Sequence, residues 1–175
     1  MFKALAIAAL IFAGGDYGPT DDMFEKLREA PSAPEAQEIA SDIVAAWMES
    51  GSPTVDILME RGVSAEMAGD DEGARAFYDR AILIRPGYAE AYNRRAALFL
   101  KADNYSEALR DVNEALRLEP RHFGAWMGLG AVLETFGARS EALQAYREAR
   151  GIYPELEAAK QAERRLAPRS DGTAL

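Results

Sequence analysis

Residues 74–86, ARAFYDRAILIRP, return in the same frame at 108–120 as ALRDVNEALRLEP and again at 142–154 as ALQAYREARGIYP. Alanine stands first and eighth in every copy and proline closes each one: Ala74, Ala108 and Ala142; Ala81, Ala115 and Ala149; Pro86, Pro120 and Pro154. The interval is 34 residues, so one supersecondary unit is written three times. Between the two alanines lies a bulky residue, Tyr78, Val112 or Tyr146. Small residues at fixed places let helix axes approach to about 8–10 Å, and the large residue fills the space beside them. Proline ends the helix and turns the chain back. Such hairpins cannot bury their apolar faces alone and must stack on one another.

Working upstream within each unit gives a first helix for every copy. The spacing predicts helix pairs over 53–68 with 71–84, 88–102 with 105–118, and 122–136 with 139–152, turning at Gly69-Asp70, Asp103-Asn104 and Gly137. Asn104 with Glu107 three residues on is expected to form a capping box. The acidic run Asp70-Asp71-Glu72 lacks the alternating oxygen ligands of a calcium loop and is expected to cap a helix and offset its dipole. Ahead of the repeats, Thr20 or Asp21 starts a helix that Pro31 ends. Ser32 caps a second, with Ile39, Ile43 and Trp47 at four-residue spacing beside Ala40 and Val44. Ser52-Pro53 then opens the first repeat by a cap and an early proline. The pair over 16–52 is expected to stack on the first repeat as an N-terminal cap. A final helix over 155–166 carries Leu156, Ala159, Ala162 and Leu166 inward and charge outward, closing the other end. The tail, 167–175, is expected to be disordered.

The repeats resemble the tetratricopeptide repeat family over roughly residues 55–166. The large early residue of its first helix is matched by Leu58, Tyr92 and Trp126, and the small residue four positions later by Gly62, Ala96 and Gly130. Phe99 and Leu133 supply the next apolar position, where the first unit has Ala65. The residue before the small one is usually leucine in the family; here it is Leu129 in the third unit but Arg61 and Arg95 in the others. The resemblance implies an all-α fold, a right-handed α-solenoid of three hairpins (55–88, 89–122 and 123–156), with the N-terminal pair and the C-terminal helix around them. It implies a non-enzymatic interaction module whose first helices line a concave groove. More narrowly, the chain is similar to small exported bacterial proteins of this family.

Net charge is −9, and it is uneven. Residues 1–50 hold nine acids and three bases, while the rest holds twenty and seventeen. The repeats are thus near neutral, and no basic patch suited to nucleic acid appears. Lys3, the apolar run Ala4–Ala13 and the small residues Gly14 and Gly15 describe a secretory signal peptide over 1–15. The run is too short to span a bilayer as a mature helix, so no stable membrane insertion of the mature chain is expected. The expected location is periplasmic or secreted, with a retained N-terminus in the cytoplasm as the alternative. Cysteine is absent, excluding a disulfide framework and a thiolate metal site.

No catalytic constellation is present. The single histidine, His122, has no nucleophile or second histidine near it in sequence; it either orients a backbone group or lies exposed. Neither a cofactor, a metal nor a small-molecule substrate is expected. The groove-facing set in this register is Met59, Val63 and Met67 from the first unit, Asn93, Arg94, Ala97 and Lys101 from the second, and Met127 and Glu134 from the third. The methionines suit apolar side chains of a partner. Asn93 suits an extended backbone, and Arg94 with Lys101 a carboxylate. The family's chaperone-tail members grip a terminal carboxylate with Lys and Asn on the first unit, Asn on the second, and Lys and Arg on the third. The matching positions here hold Met59, Val63, Arg94, Gly124 and Gly128, so that clamp is absent. The expected partner is therefore a protein or peptide of another kind, held as an extended segment or a helix. The alternative is a scaffold that associates with itself.

Overall fold

The structure, a computed structural model, describes residues 17–167. The leader expected over 1–15 and all but Ala167 of the expected tail lie outside the described residues. Nine helices are present among the described residues: α1 Asp21–Glu29, α2 Ala33–Trp47, α3 Pro53–Met67, α4 Asp71–Ile84, α5 Ala89–Lys101, α6 Tyr105–Leu118, α7 Phe123–Thr135, α8 Arg139–Ile152 and α9 Glu157–Leu166. Helices α3 to α8 form three antiparallel hairpins, each packed on the next, and α9 packs on α8.

Local chemistry sets these bounds. Thr20, Ser32 and Asp70 accept from the backbone N–H groups of Met23, Glu35 and Gly73 at the starts of α1, α2 and α4. The turns inside the hairpins need left-handed backbone, supplied by Gly69 (φ 78°), Asp103 (φ 58°) and Gly137 (φ 73°). Two expected caps do not form. Asn104 makes no side-chain cap bond at α6, and neither does Ser52 at α3. Asp56 in the first turn of α3 reaches back instead, its Oδ1 accepting from both the N–H and the hydroxyl of buried Ser50 and fixing the entry of the chain without capping the helix.

All six repeat-register alanines form the core as the spacing requires: Ala74, Ala81, Ala108, Ala115, Ala142 and Ala149 are fully buried. A built Cβ on Gly130 would lie 2.5 Å from the Tyr146 ring, and one on Gly62 would strike Tyr78 likewise. Each ring therefore occupies the space its partner glycine leaves open. Arg95, where the family prefers leucine, is held between Asp111 (Nε–Oδ2 2.7 Å, Nη2–Oδ1 2.8 Å) and Asp79 (2.8 Å). That fork ties α5 to α4 and α6 in place of an apolar contact.

The N-terminal pair does not stack on the first repeat. α1 and α2 pack on each other, but the buried stripe of α2 (Ala36, Ala40, Ile43 and Trp47) joins one apolar cluster with Phe123 and Tyr153. Those residues belong to the corners on either side of the third hairpin. Gly51 (φ 73°) redirects the chain between α2 and α3, with the Tyr17 ring where its Cβ would be. Among the described residues nothing covers the outer face of the first hairpin in consequence: Leu83 is 80% exposed, and Ile57 and Ile84 are about half exposed.

Candidate partner-binding groove

Successive first helices α3, α5 and α7 present their N-terminal turns along a row of corners, and α2 lies along that row. Tyr88 and His122 hold equivalent places one repeat apart, and both meet Trp47. The Tyr88 hydroxyl donates to the Trp47 carbonyl (2.7 Å). The His122 ring stacks on the indole at 3.9 Å between centroids, 4° from parallel. Farther along, the Tyr153 hydroxyl reaches Gln37 at 3.3 Å.

His122 is 2% exposed and caps α7. The Ala125 N–H donates to its Nδ1 (3.1 Å), so the ring proton sits on Nε2. From there it is donated to Glu90 Oε2 (2.8 Å). Glu90 also accepts from Asn93 (3.0 Å) and from Arg94 Nε (2.7 Å). Burial works to raise the Glu90 carboxyl, but the hydrogen bond from His122 and the Arg94 guanidinium outweigh it and hold it below the usual range. Arg94 continues the chain to Glu66 (3.5 Å), and Glu66 accepts from the Tyr78 hydroxyl (2.8 Å). Burial and the Glu66 hydrogen bond push the Tyr78 phenol well above its ordinary value. A line of alternating donors and acceptors thus crosses three helices.

Beside this line opens a recess of about 230 Å³, walled by Val44 and Trp47 on one side and by Asn93, Arg94, Ala97 and Phe123 on the other. Of the residues expected to face the groove, Asn93, Arg94 and Ala97 are brought together here. Val63 is half-buried, and Met67 is 85% exposed at the end of α3.

The others are engaged. Met59 is fully buried in the core of the first hairpin with Val55, Ala74 and Tyr78; its flexible apolar chain fills the space between helices, so its place in the expected groove set is corrected. Met127 packs against the α8–α9 cluster. Glu134 accepts from the Tyr146 hydroxyl (2.7 Å) and from Arg165 of α9 (2.9 Å), so it closes the end of the stack. Lys101 pairs with Asp71 (2.8 Å). Nor is Arg94 an open seat for a carboxylate, since Glu90 and Glu66 already hold it.

As lining of this recess, Val44, Trp47, Glu66 and Glu90 escaped the sequence reading, although Val44 and Trp47 stood in the apolar stripe of the second helix. The apolar stripe of α2 told which of its faces is buried, but nothing in it named the surface that covers that face. Among the described residues no group of three or more metal-type side chains converges. No described helix is long and apolar enough to cross a membrane.

Comparison with known proteins places these observations. The tetratricopeptide repeat family model matches residues 27–91 and 93–157. A TPR repeat-containing protein of Rhizobium etli is 35% identical over 152 residues, covering 87% of this chain and 74% of its own. Among solved structures, the TPR domain of Arabidopsis OM64 superposes with a TM-score of 0.63 at 28% identity, over 69% of this chain and 96% of that one. The second TPR domain of human RPAP3, solved in complex with the HSP70 peptide SGPTIEEVD, gives 0.59 at 25% identity, over 62% and 91%.

Proposed function

Because the chain belongs to the tetratricopeptide repeat family, we propose that it is a non-enzymatic interaction module that holds a segment of a partner protein along the part of the concave face that α2 leaves open. The recess between Trp47 and Ala97 carries this reading. It sets apolar walls (Val44, Trp47, Phe123) against a line of satisfied polar groups, the composition of a site that gains by desolvation and orients by a few hydrogen bonds. The human RPAP3 neighbour, solved with a peptide, supports peptide binding by this fold. The partner class differs, because the clamp positions Val63, Gly124 and Gly128 carry no cation and Arg94 is already neutralised within the line.

The partner therefore meets an apolar and weakly polar surface, with Met67 as an adaptable contact at its edge. Affinity capture from the native host, comparing the unaltered chain with Ala97→Arg, tests this. Ala97 is exposed, so the substitution blocks the recess without disturbing the core. Recovery of the same proteins by both chains would refute it.

We place the protein in the periplasm or outside the cell, on the strength of Lys3, the run Ala4–Ala13 and Gly14-Gly15. Protein from the native host is then expected to lack about fifteen residues, and an intact mass that retains them sends it to the cytoplasm. Self-association is the second reading, favoured by the exposed Ile57, Leu83 and Ile84 of the first hairpin. Sedimentation showing only monomer at high concentration would dismiss it.

A further inference from the structure

We infer that the row of corners under α2 is a helix-docking surface with α2 as its resident occupant, and that it accepts an amphipathic helix of a partner presenting small, small, aliphatic and aromatic residues at i, i+4, i+7 and i+11. The inference rests on the interaction-module reading and adds to the recess beside α2 a second seat, the one α2 itself covers.

The occupant itself writes the pattern: Ala36, Ala40, Ile43 and Trp47 are its buried residues. The surface beneath is periodic. Tyr88 and His122 are set 34 residues apart, as are His122 and Leu156, and α2 meets all three. Two steps between repeat units span about 16–20 Å. A helix of 15 residues is about 22 Å long, so α2 matches the row it covers. The alanines allow close approach where Phe123 and Tyr153 project, and the indole lies flat on His122.

Three features mark this contact as exchangeable. Its polar ties are few: Tyr88 to the Trp47 carbonyl, Tyr153 to Gln37, and the exposed pair Arg121–Asp21 at 2.6 Å. The Trp47 Nε1–H, at the C-terminal end of α2, is buried with no acceptor among the described residues, a donor that a permanent core would satisfy. And α2 joins the repeats through Met48–Ser52, where Gly51 adopts left-handed backbone that permits a change of direction without breaking a helix. A hairpin held by apolar packing and few polar ties, on a short tether, is suited to give way to a partner helix of the same pattern.

The test uses the full chain and a fluorescein-labelled peptide copying residues 20–49. Tethering gives the resident helix an effective concentration on the order of 1 mM, so the free peptide is expected to bind the unaltered chain at least about 100-fold more weakly than chains whose resident is loosened by Ile43→Asp or Ala40→Glu. Anisotropy reads the difference, and a peptide carrying Ile43→Asp and Trp47→Ala is expected not to bind. Absence of binding to a loosened chain that keeps its helical circular dichroism overturns the inference. Equal binding to loosened and unaltered chains also overturns it, because the peptide would then sit elsewhere. Stable dimers of the unaltered chain that exchange their N-terminal hairpins would make a second copy the occupant and overturn the partner-helix form.

If both loosened chains fail to fold, hydrogen exchange on the unaltered chain decides. Amides of 33–47 are expected to exchange at least about 100-fold faster than those of α5 to α8, and equal protection refutes the proposal. The Ala97→Arg capture is independent of all these outcomes, so the groove reading can stand when this one falls.

Discussion

His122 uses both ring nitrogens and one ring face: Nδ1 caps α7, Nε2–H donates to Glu90, and the ring supports Trp47. His122→Ala removes all three, leaving a buried carboxylate with less compensation. We expect a loss on the order of 3 kcal/mol, read from urea unfolding at neutral pH. A variant that unfolds within about 0.5 kcal/mol of the parent would contradict this account. The residue also predicts a pH dependence through Glu90. Its folded pKa lies below the ordinary carboxylate value, so the unfolded chain takes up the proton first. Stability is then full above about pH 4.3 and falls as pH drops below that toward the folded value. Glu90→Gln should flatten this acid limb while lowering stability at neutral pH. An unchanged slope between pH 5 and pH 3 would show that other carboxylates carry it. The sequence offered two fates for the histidine, orienting a backbone group or lying exposed, and the first is realised. Its partner Glu90 sits 32 residues away, a distance from which no local pattern points to a pairing.

At the scale of helices, the repeats are not three equal copies but two of one kind and one of another. Where the second helix has tyrosine, the first supplies a glycine for the ring and a glutamate for the hydroxyl: Gly62, Glu66 and Tyr78; Gly130, Glu134 and Tyr146. The middle unit replaces all three with Ala96, Leu100 and Val112. Gly130→Ala should therefore overpack the third hairpin and cost about 1–3 kcal/mol, whereas adding Tyr146→Val should recover much of it. Thermal unfolding of the single and double variants measures the coupling, and strict additivity would argue against the volume exchange.

The helices themselves were legible, because Pro86, Pro120, Pro154 and the alanine columns report local backbone and close approach directly. The role of Glu134 was not, since a charged residue on a first helix looks the same whether it faces a partner or holds Tyr146 and Arg165. Met59 was misplaced for a related reason. A methionine one position past the large residue can face either the groove or the neighbouring helix, and only the volume available in the first hairpin decides.

For the molecule as a whole, the decisive departure is the path of α1 and α2. An apolar stripe specifies burial without specifying against what, and two surfaces competed for it: the face of the first hairpin and the corner row. Aromatic partners at Phe123, Tyr153 and His122 gave the corner row more contact than Ile57, Leu83 and Ile84 offer. The exposed face of the first hairpin predicts that Leu83→Glu leaves the unfolding free energy within about 0.5 kcal/mol of the parent. It should also abolish any self-association detected by sedimentation; a large loss of stability would mean that Leu83 is packed in solution.

The two ends of the stack differ accordingly, since α9 turns Glu157, Arg164 and Arg165 to solvent while the first hairpin turns aliphatic side chains outward. An array with one finished end and one unfinished end can grow in a single direction. Further units grafted at Gly51-Ser52, in phase with α3, would find a ready seat, whereas units fused beyond Leu166 would first have to displace a charged lid.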